Sequence, residues 1–311
     1  MPEVIVIGSG IIGLSSALEL QAAGCEVRIV TREMPLDATS VAAGAVWSAS
    51  DLDGRQRTCA ELTLKRFLPL TQTPDSGVTL QRMREVFAEP MPEPWYRDQL
   101  PYFARMKKDD LPPGMADGYL LDVPIVAPPL YLRSLQAQFL AAGGTIEKRH
   151  VSTLRELADE ATLLVNCSGV GARDLAQDEN VYPIRGQTLL VDAPQIQNGY
   201  MDNSQVVHIF PRADGVLLGG IKRYHDWRRQ VDPAITDSIV ADCAKIEPSL
   251  QNAQALRHFA GLRPGRREAR LEIEKIAPAC QVIHNYGHGA IGYTLSWGCA
   301  ADVLRLVGKV L

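Results

Sequence analysis

The sequence predicts an α/β fold made of two interleaved domains, and three observations predict it. Residues 4–7 are a continuous β-branched run, the composition of a strand buried on both faces of a parallel sheet. That run enters Gly8-Ser9-Gly10-Ile11-Ile12-Gly13, a glycine cluster opening a helix, which makes the first domain Rossmann-type. Residues 51–130 break this rhythm, with many prolines among mixed strands and loops, and mark an inserted mixed-sheet region.

Taken in order, residues 11–23 read as a helix packed closely on a sheet through Ser15, Ser16 and Leu20, stopped by Gly24. Residues 27–30 are a second short strand, which completes a βαβ unit. Residues 129–142 are helical in period and run into Gly143-Gly144. Residues 163–165 are a buried strand leading to Asn166-Cys167-Ser168-Gly169, a return to the first domain. Alternating strands follow over 187–220, with turns at Pro194 and Asp214-Gly215. A helix is expected over about 233–246, and a last one from about Gly298.

Composition narrows the function. The 311 residues are 46% hydrophobic and 22% charged, with net charge −4 and pI about 5.9, so no nucleic-acid partner is expected. The six cysteines form no CxxC pair, which excludes a zinc ribbon and leaves no metal site, and they suit a reducing compartment. No signal segment and no apolar run of about 20 residues is present. No membrane partner and a cytoplasmic location are therefore the expectations.

The glycine cluster carries the first piece of chemistry. Gly8 makes the tight turn, Gly10 lets backbone approach a pyrophosphate, and Gly13 lets helix and strand pack. The helix N-terminus at Ile11 and Ile12 supplies N–H donors and positive dipole. Strand two ends Thr31-Arg32-Glu33, so Glu33 is the candidate for a ribose hydroxyl, with Arg32 stacking on adenine or facing solvent. Three further small-residue segments suit a large ligand lying across the sheet: Thr39-Ser40-Val41-Ala42-Ala43-Gly44, the stretch at Ser168-Gly169, and Gly289-Ala290-Ile291-Gly292-Tyr293-Thr294. Each taken alone reads equally as a tight turn.

These residues fall in the motifs GSGIIGLSSALEL, TREMP followed by VAAGAVW, PLYLRSL, NCSGVGAR with RGQ, GLRPGRREARLE and HNYGHGAIGYTLSWGCA. In content and order, over nearly the full length, the chain resembles the D-amino acid oxidase family. The resemblance implies non-covalent FAD and an interleaved division: an FAD-binding domain over 1–75, 145–190 and 280–311, and a substrate-binding domain over 76–144 and 191–279. It implies oxidation of an amino acid to an imino acid by hydride transfer to flavin N5, with release of a 2-oxo acid, ammonia and hydrogen peroxide. Arg263 matches the arginine that grips the substrate carboxylate, a role suited to a planar guanidinium. Ala290 stands where the family usually has a glycine, in the loop facing substrate and flavin. His208 stands where the family carries a carboxylate-binding tyrosine. Relatives acting on acidic D-amino acids place a cation just after the double glycine, here Lys222 or Arg223, only one of which can face the pocket on an alternating strand. A solvated strand end is the competing reading for both. The partners implied are an amino acid and molecular oxygen, with a homodimer as the assembly considered. Rival readings are a glycine or N-methyl-amino-acid oxidase, a D-aspartate/D-glutamate-selective oxidase, and a non-catalytic dinucleotide binder.

Overall fold

The computed structural model describes residues 3–50 and 52–310. In chain order they form β1 (Glu3–Ile7), α1 (Ile11–Ala22), β2 (Glu26–Thr31), α2 (Gly54–Leu70), β3 (Val78–Phe87), β4 (Phe103–Arg105), β5 (Asp117–Val126), α3 (Pro128–Ala141), β6 (Thr145–Lys148) and β7 (Leu163–Asn166). There follow α4 (Ala172–Leu175), β8 (Tyr182–Asp192), β9 (Gly199–Asp202), β10 (Val207–Arg212), β11 (Gly215–Gly219), β12 (Arg223–Tyr224), α5 (Pro233–Ile246), β13 (Gln254–Gly265), β14 (Arg270–Ala277), β15 (Cys280–Tyr286) and α6 (Gly292–Val307).

Two sheets organise the chain. The first runs β14-β15-β7-β1-β2-β6, parallel except at β14, and its central strand is sealed on both faces. The second runs β12-β8-β11-β10-β9-β3-β5-β4, with β13 along the other side of β8. It is antiparallel apart from the β3–β9 pair. Helix α1 packs on the first sheet through its small face, Gly13, Ser15, Ser16 and Ala17. The buried Ser15 and Ser16 hydroxyls donate to the Ile11 and Ile12 carbonyls, 2.8 and 2.7 Å away, which satisfies them inside the helix.

The chain departs from the sequence reading at several places. Helix α2 lies inside the stretch expected as strands and loops; its buried residues Cys59, Ala60, Thr63, Leu64 and Phe67 form a helical stripe that the neighbouring prolines mask, Pro69 entering only in its last turn. Helix α6 starts at Gly292 rather than Gly298. Strand β8 joins the second sheet from residue 182, and β14 (Arg270–Ala277) joins the first, against expected divides at 190/191 and 279/280. Both differences follow from strand pairing, which no local pattern encodes.

Helices α2 and α6 touch at Gly298, where an added Cβ would overlap the Cys59 backbone. The Thr63 hydroxyl there accepts the backbone N–H groups of Trp297 and Gly298. Gly298→Val should therefore force the helices apart and lower Tm by roughly 5 °C or more, read by circular dichroism melting. An unchanged melt would mean that the contact is not tight.

Candidate active site

Between the sheets lies a cavity of about 600 Å³, framed by the C-terminal ends of β1, β2 and β7 on one side and by β8, β10, β11 and β13 on the other. This is the crevice where open α/β sheets hold ligands. Of the sequence candidates, Gly8, Gly10, Ile11, Ile12, Arg32, Glu33, Thr39, Ser40, Ala42, Ala43, Gly44, Ser168, Gly169, His208, Lys222, Arg263 and the stretch from Gly289 to Thr294, which includes Ala290, all line it. Gly13 does not; its missing Cβ would collide with the Gly8 carbonyl, so it serves packing alone. Arg223 is also outside the lining, exposed on β12 and paired in register with Arg185. Strand geometry thus separates it from Lys222.

The floor at one end is the second sheet. Along β8 Gly186 and Thr188 face the cavity, while Gln187 turns to the other side and donates to Thr236 and the Asp232 carbonyl on the α5 side. Along β10 His208 and Phe210 face the cavity and Ile209 joins the opposite core. Arg263 rises from β13 and lays its guanidinium across β8 where Gly186 has no side chain; a Cβ there would sit 2.5 Å from Nη1. Nη1 donates to the Ile221 carbonyl at 3.2 Å, and no carboxylate stands within ion-pair distance of Arg263 among the described residues. Burial disfavours its charge and lowers its pKa from the ordinary value, so the group is set to receive an anion.

His208 stacks on Phe210 with ring centroids 5.2 Å apart. Desolvation first, then the positive charges of Arg263 and Lys222, push its pKa down to about 3. His208 is therefore neutral at physiological pH and can offer a hydrogen bond but no charge. His288 is likewise neutral, its pKa pushed down to about 4 by burial alone, with Nε2 unpartnered.

At the other end the geometry fits a dinucleotide. A Cβ on Gly10 would stand 2.9 Å from Ser40 Oγ, the hydroxyl that accepts the Ile11 N–H at 3.0 Å. Helices α1 and α6 both start on the cavity, with no acidic residue in either first turn and no side-chain cap, so their dipoles favour negative charge there. The segment from Thr39 to Gly44 crosses between the sheets with its small side chains against Gly261 and the Phe210 ring. Tyr293 and Arg212 hold it by donating to the Ser40 and Ala43 carbonyls, at 3.1 and 3.2 Å. Gly289 N–H donates to the Pro264 carbonyl at 2.8 Å, which registers the 288–291 loop on the strand carrying Arg263.

Sequence reasoning missed the lining residues Arg149 to Ser152, Gly186, Thr188, Met201, Arg229 and His288. His288 sat inside a motif already singled out, and Gly186 in the RGQ triplet; the others carry no local signal. No group of three or more His, Cys, Asp or Glu residues suited to a metal occurs among the described residues, and no helix among them is long and apolar enough to cross a membrane.

Residues 3–306 match the family model described as "DAO: FAD dependent oxidoreductase". A D-amino-acid oxidase from Rubrobacter xylanophilus is 41% identical over 315 residues, covering 99% of this chain and 97% of that protein. A D-aspartate oxidase from Homo sapiens is 32% identical over 323 residues, covering 99% and 95%. In fold, the chain is similar to a glycine oxidase from Geobacillus kaustophilus, with TM-score 0.82 at 18% identity over 99% of this chain and 95% of that one.

Half-buried His208 and buried His288 set a pH dependence of stability. Their folded pKa values lie below the ordinary 6.5, so in the window between, the unfolded chain binds more protons and stability rises with pH. The stabilisation is whole above 6.5 and is lost as pH falls toward about 4 and then 3. Lowering pH from about 7 to about 5, where carboxylates such as Asp117 and Asp178 with lowered pKa values stay ionised, should lower Tm. His208→Asn with His288→Asn should flatten the slope. An equal slope in the double variant would place these histidines outside the effect.

Proposed function

The chain belongs to the FAD dependent oxidoreductase family that includes the D-amino-acid oxidases, and from that premise we propose that it oxidises D-amino acids at the end of the cavity marked by Arg263. The observation that carries the reading is the Arg263 guanidinium, desolvated over Gly186 with no carboxylate beside it. Bidentate binding of the substrate carboxylate satisfies it and fixes the orientation of the amino acid. Neutral His208, beside Arg263, adds a hydrogen bond without adding charge. The backbone of Gly289-Ala290 faces the substrate amine, and the Ala290 methyl narrows that side relative to a glycine.

The residues from Gly8 to Ile12, Ser40 to Gly44, Ser168-Gly169 and Ile291 to Thr294 would hold FAD. When bound, FAD supplies the two-electron acceptor that takes a hydride from the substrate Cα. The chain's part is to bind, orient and exclude water. The neutral form of the amine needs no general base. The overall reaction converts a D-amino acid, oxygen and water into a 2-oxo acid, ammonia and hydrogen peroxide. A cytoplasmic location suits the six free cysteines, all without disulfide partners.

A preference for acidic substrates is the second reading, favoured by Lys222 on the cavity lining and by the similarity to a D-aspartate oxidase. Lys222 is the lining cation beside Arg263 that supports it, since Arg223 stands outside the lining and His208 is neutral.

Arg263→Ala should lower kcat/KM by several orders of magnitude, about 3–5 kcal/mol, while FAD stays bound. Gly186→Ala should reproduce much of that loss by displacing the guanidinium. Near-normal turnover in both would remove Arg263 from the mechanism. Acid precipitation should release the yellow chromophore, since binding is non-covalent; colour kept on the denatured chain would overturn that. Rates for D-aspartate, D-alanine and glycine, read as peroxide, separate the substrate readings: a faster D-alanine rate, or an unchanged acidic-to-neutral ratio in Lys222→Ala, removes the acidic preference.

A further inference from the structure

Arg229 links two parts of the molecule that the sequence separates by almost two hundred positions. Its Nη1 lies 2.9 Å from Glu33 Oε1, and both residues line the cavity. Glu33 follows β2 of the first sheet. Arg229 belongs to the segment from Ile221 to Asp232, which carries the edge strand β12 of the second sheet and then leads into α5. Arg185, fully buried on β8, donates to the carbonyls of Arg228 and Gln230 at 3.1 and 2.7 Å. The Gln187 side chain donates to the Asp232 carbonyl and accepts the Asp232 N–H, at 2.8 and 2.9 Å. The backbone on both sides of Arg229 is thus tied down, and the Asp226–Arg228 pair fixes the turn before it.

The same segment reaches the far end of the cavity, where the Ile221 carbonyl accepts from Arg263. It therefore runs as a strap from the substrate end to the end of β2. In a doubly wound sheet the acidic residue after the second strand meets the ribose hydroxyls, and the first helix N-terminus meets the pyrophosphate. A bare carboxylate at that place would be repelled by the phosphates and free to rotate into solvent. Arg229 removes both problems: it opposes the charge and fixes the rotamer, leaving the second oxygen of Glu33 for a hydroxyl. Arg32, 3.5 Å from the same Oε1, is more exposed and comes from the adjoining residue, so it cannot bring in the strap.

We propose that Arg229 is a positioning residue for FAD, holding the Glu33 carboxylate toward the adenosine ribose and latching the 221–232 strap over that half of the cavity. The inference rests on FAD binding in this cavity and on Glu33 as the ribose contact. Arg229 acts through Glu33, which separates it from an arginine that touches a phosphate itself.

The test uses apoprotein titrated with FAD, by flavin fluorescence, and with ADP, by calorimetry. Arg229→Ala should raise Kd for both roughly fivefold, the yield of a partly exposed pair near the upper end of its range. Glu33→Ala should raise both at least as much, and Arg229→Ala should add nothing in the Glu33→Ala background. Arg229→Lys should recover part of the loss. The visible spectrum of the FAD-saturated enzyme should stay as in the wild type, since Arg229 lies at the Glu33 end of the cavity. A loss from Arg229→Ala that persists without Glu33 would assign the arginine to the cofactor directly and overturn the proposal. Unchanged Kd in both single variants would reduce the pair to a surface contact and also overturn it. Failure of the wild-type apoprotein to bind FAD at all would instead defeat the family-based reading on which the inference stands.

Discussion

The guanidinium of Arg263 is the charge around which the cavity is arranged. It is desolvated, and its hydrogen-bond partner among the described residues is the Ile221 carbonyl, a dipole rather than a counter-charge. A partly desolvated cation without a carboxylate costs free energy that the fold must carry elsewhere. The compensation is in the sheet: β13 pairs with β8 from Gln254 to Gly265, with one irregularity between Ala255 and Arg257, and the ladder is unbroken through Arg263. Its effect on neighbours is visible at His208, where the same field, added to burial, keeps the imidazole uncharged. Burial first, then the charges of Arg263 and Lys222, keep the adjacent ring neutral.

The second constraint is space. Dinucleotide-sized cavities between two sheets need backbone where side chains would otherwise meet. Here Gly10 faces Ser40, Gly44 faces the Phe210 ring, Gly261 faces Ala42, and Gly186 lies under Arg263. The Gly44 and Gly261 pairs join the 39–44 segment to the second sheet, the Gly10 pair joins it to the start of α1, and the last stays within the second sheet. Polar anchors hold the close approach: Arg212, paired with Asp214, donates to the Ala43 carbonyl, and the Tyr293 hydroxyl to that of Ser40. Small residues make the approach sterically possible, and these hydrogen bonds make it a single geometry.

The interleaving of the two sheets turns the loops between them into functional parts. The 221–232 segment touches Arg263 at one end and Glu33 at the other, so the two ends of the cavity share one covalent strap. The 288–291 loop is tied to Pro264, next to Arg263, and then becomes the start of α6. Substrate and cofactor ends are thereby set in register by backbone, with little left to side-chain rotamers.

The sequence by itself determined the βαβ start, because it depends on local periodicity and on glycines at fixed spacing, while Arg263 was singled out by the family resemblance of the motif GLRPGRREARLE. GxGxxG after a strand reads the same in any context that folds. Helix α2 was also legible in principle, since its buried stripe is present in the residues, but the prolines around it outweighed the pattern. What only the tertiary structure decided is which side chains share a space. Lys222 and Arg223 are neighbours in sequence, and the pairing of β12 with β8 leaves only the first on the cavity. The charge of His208, the open place at Gly186 and the meeting of Arg229 with Glu33 arise from strands and loops far apart in the chain. Burial and electric field are sums over such neighbours, and a local pattern contains neither.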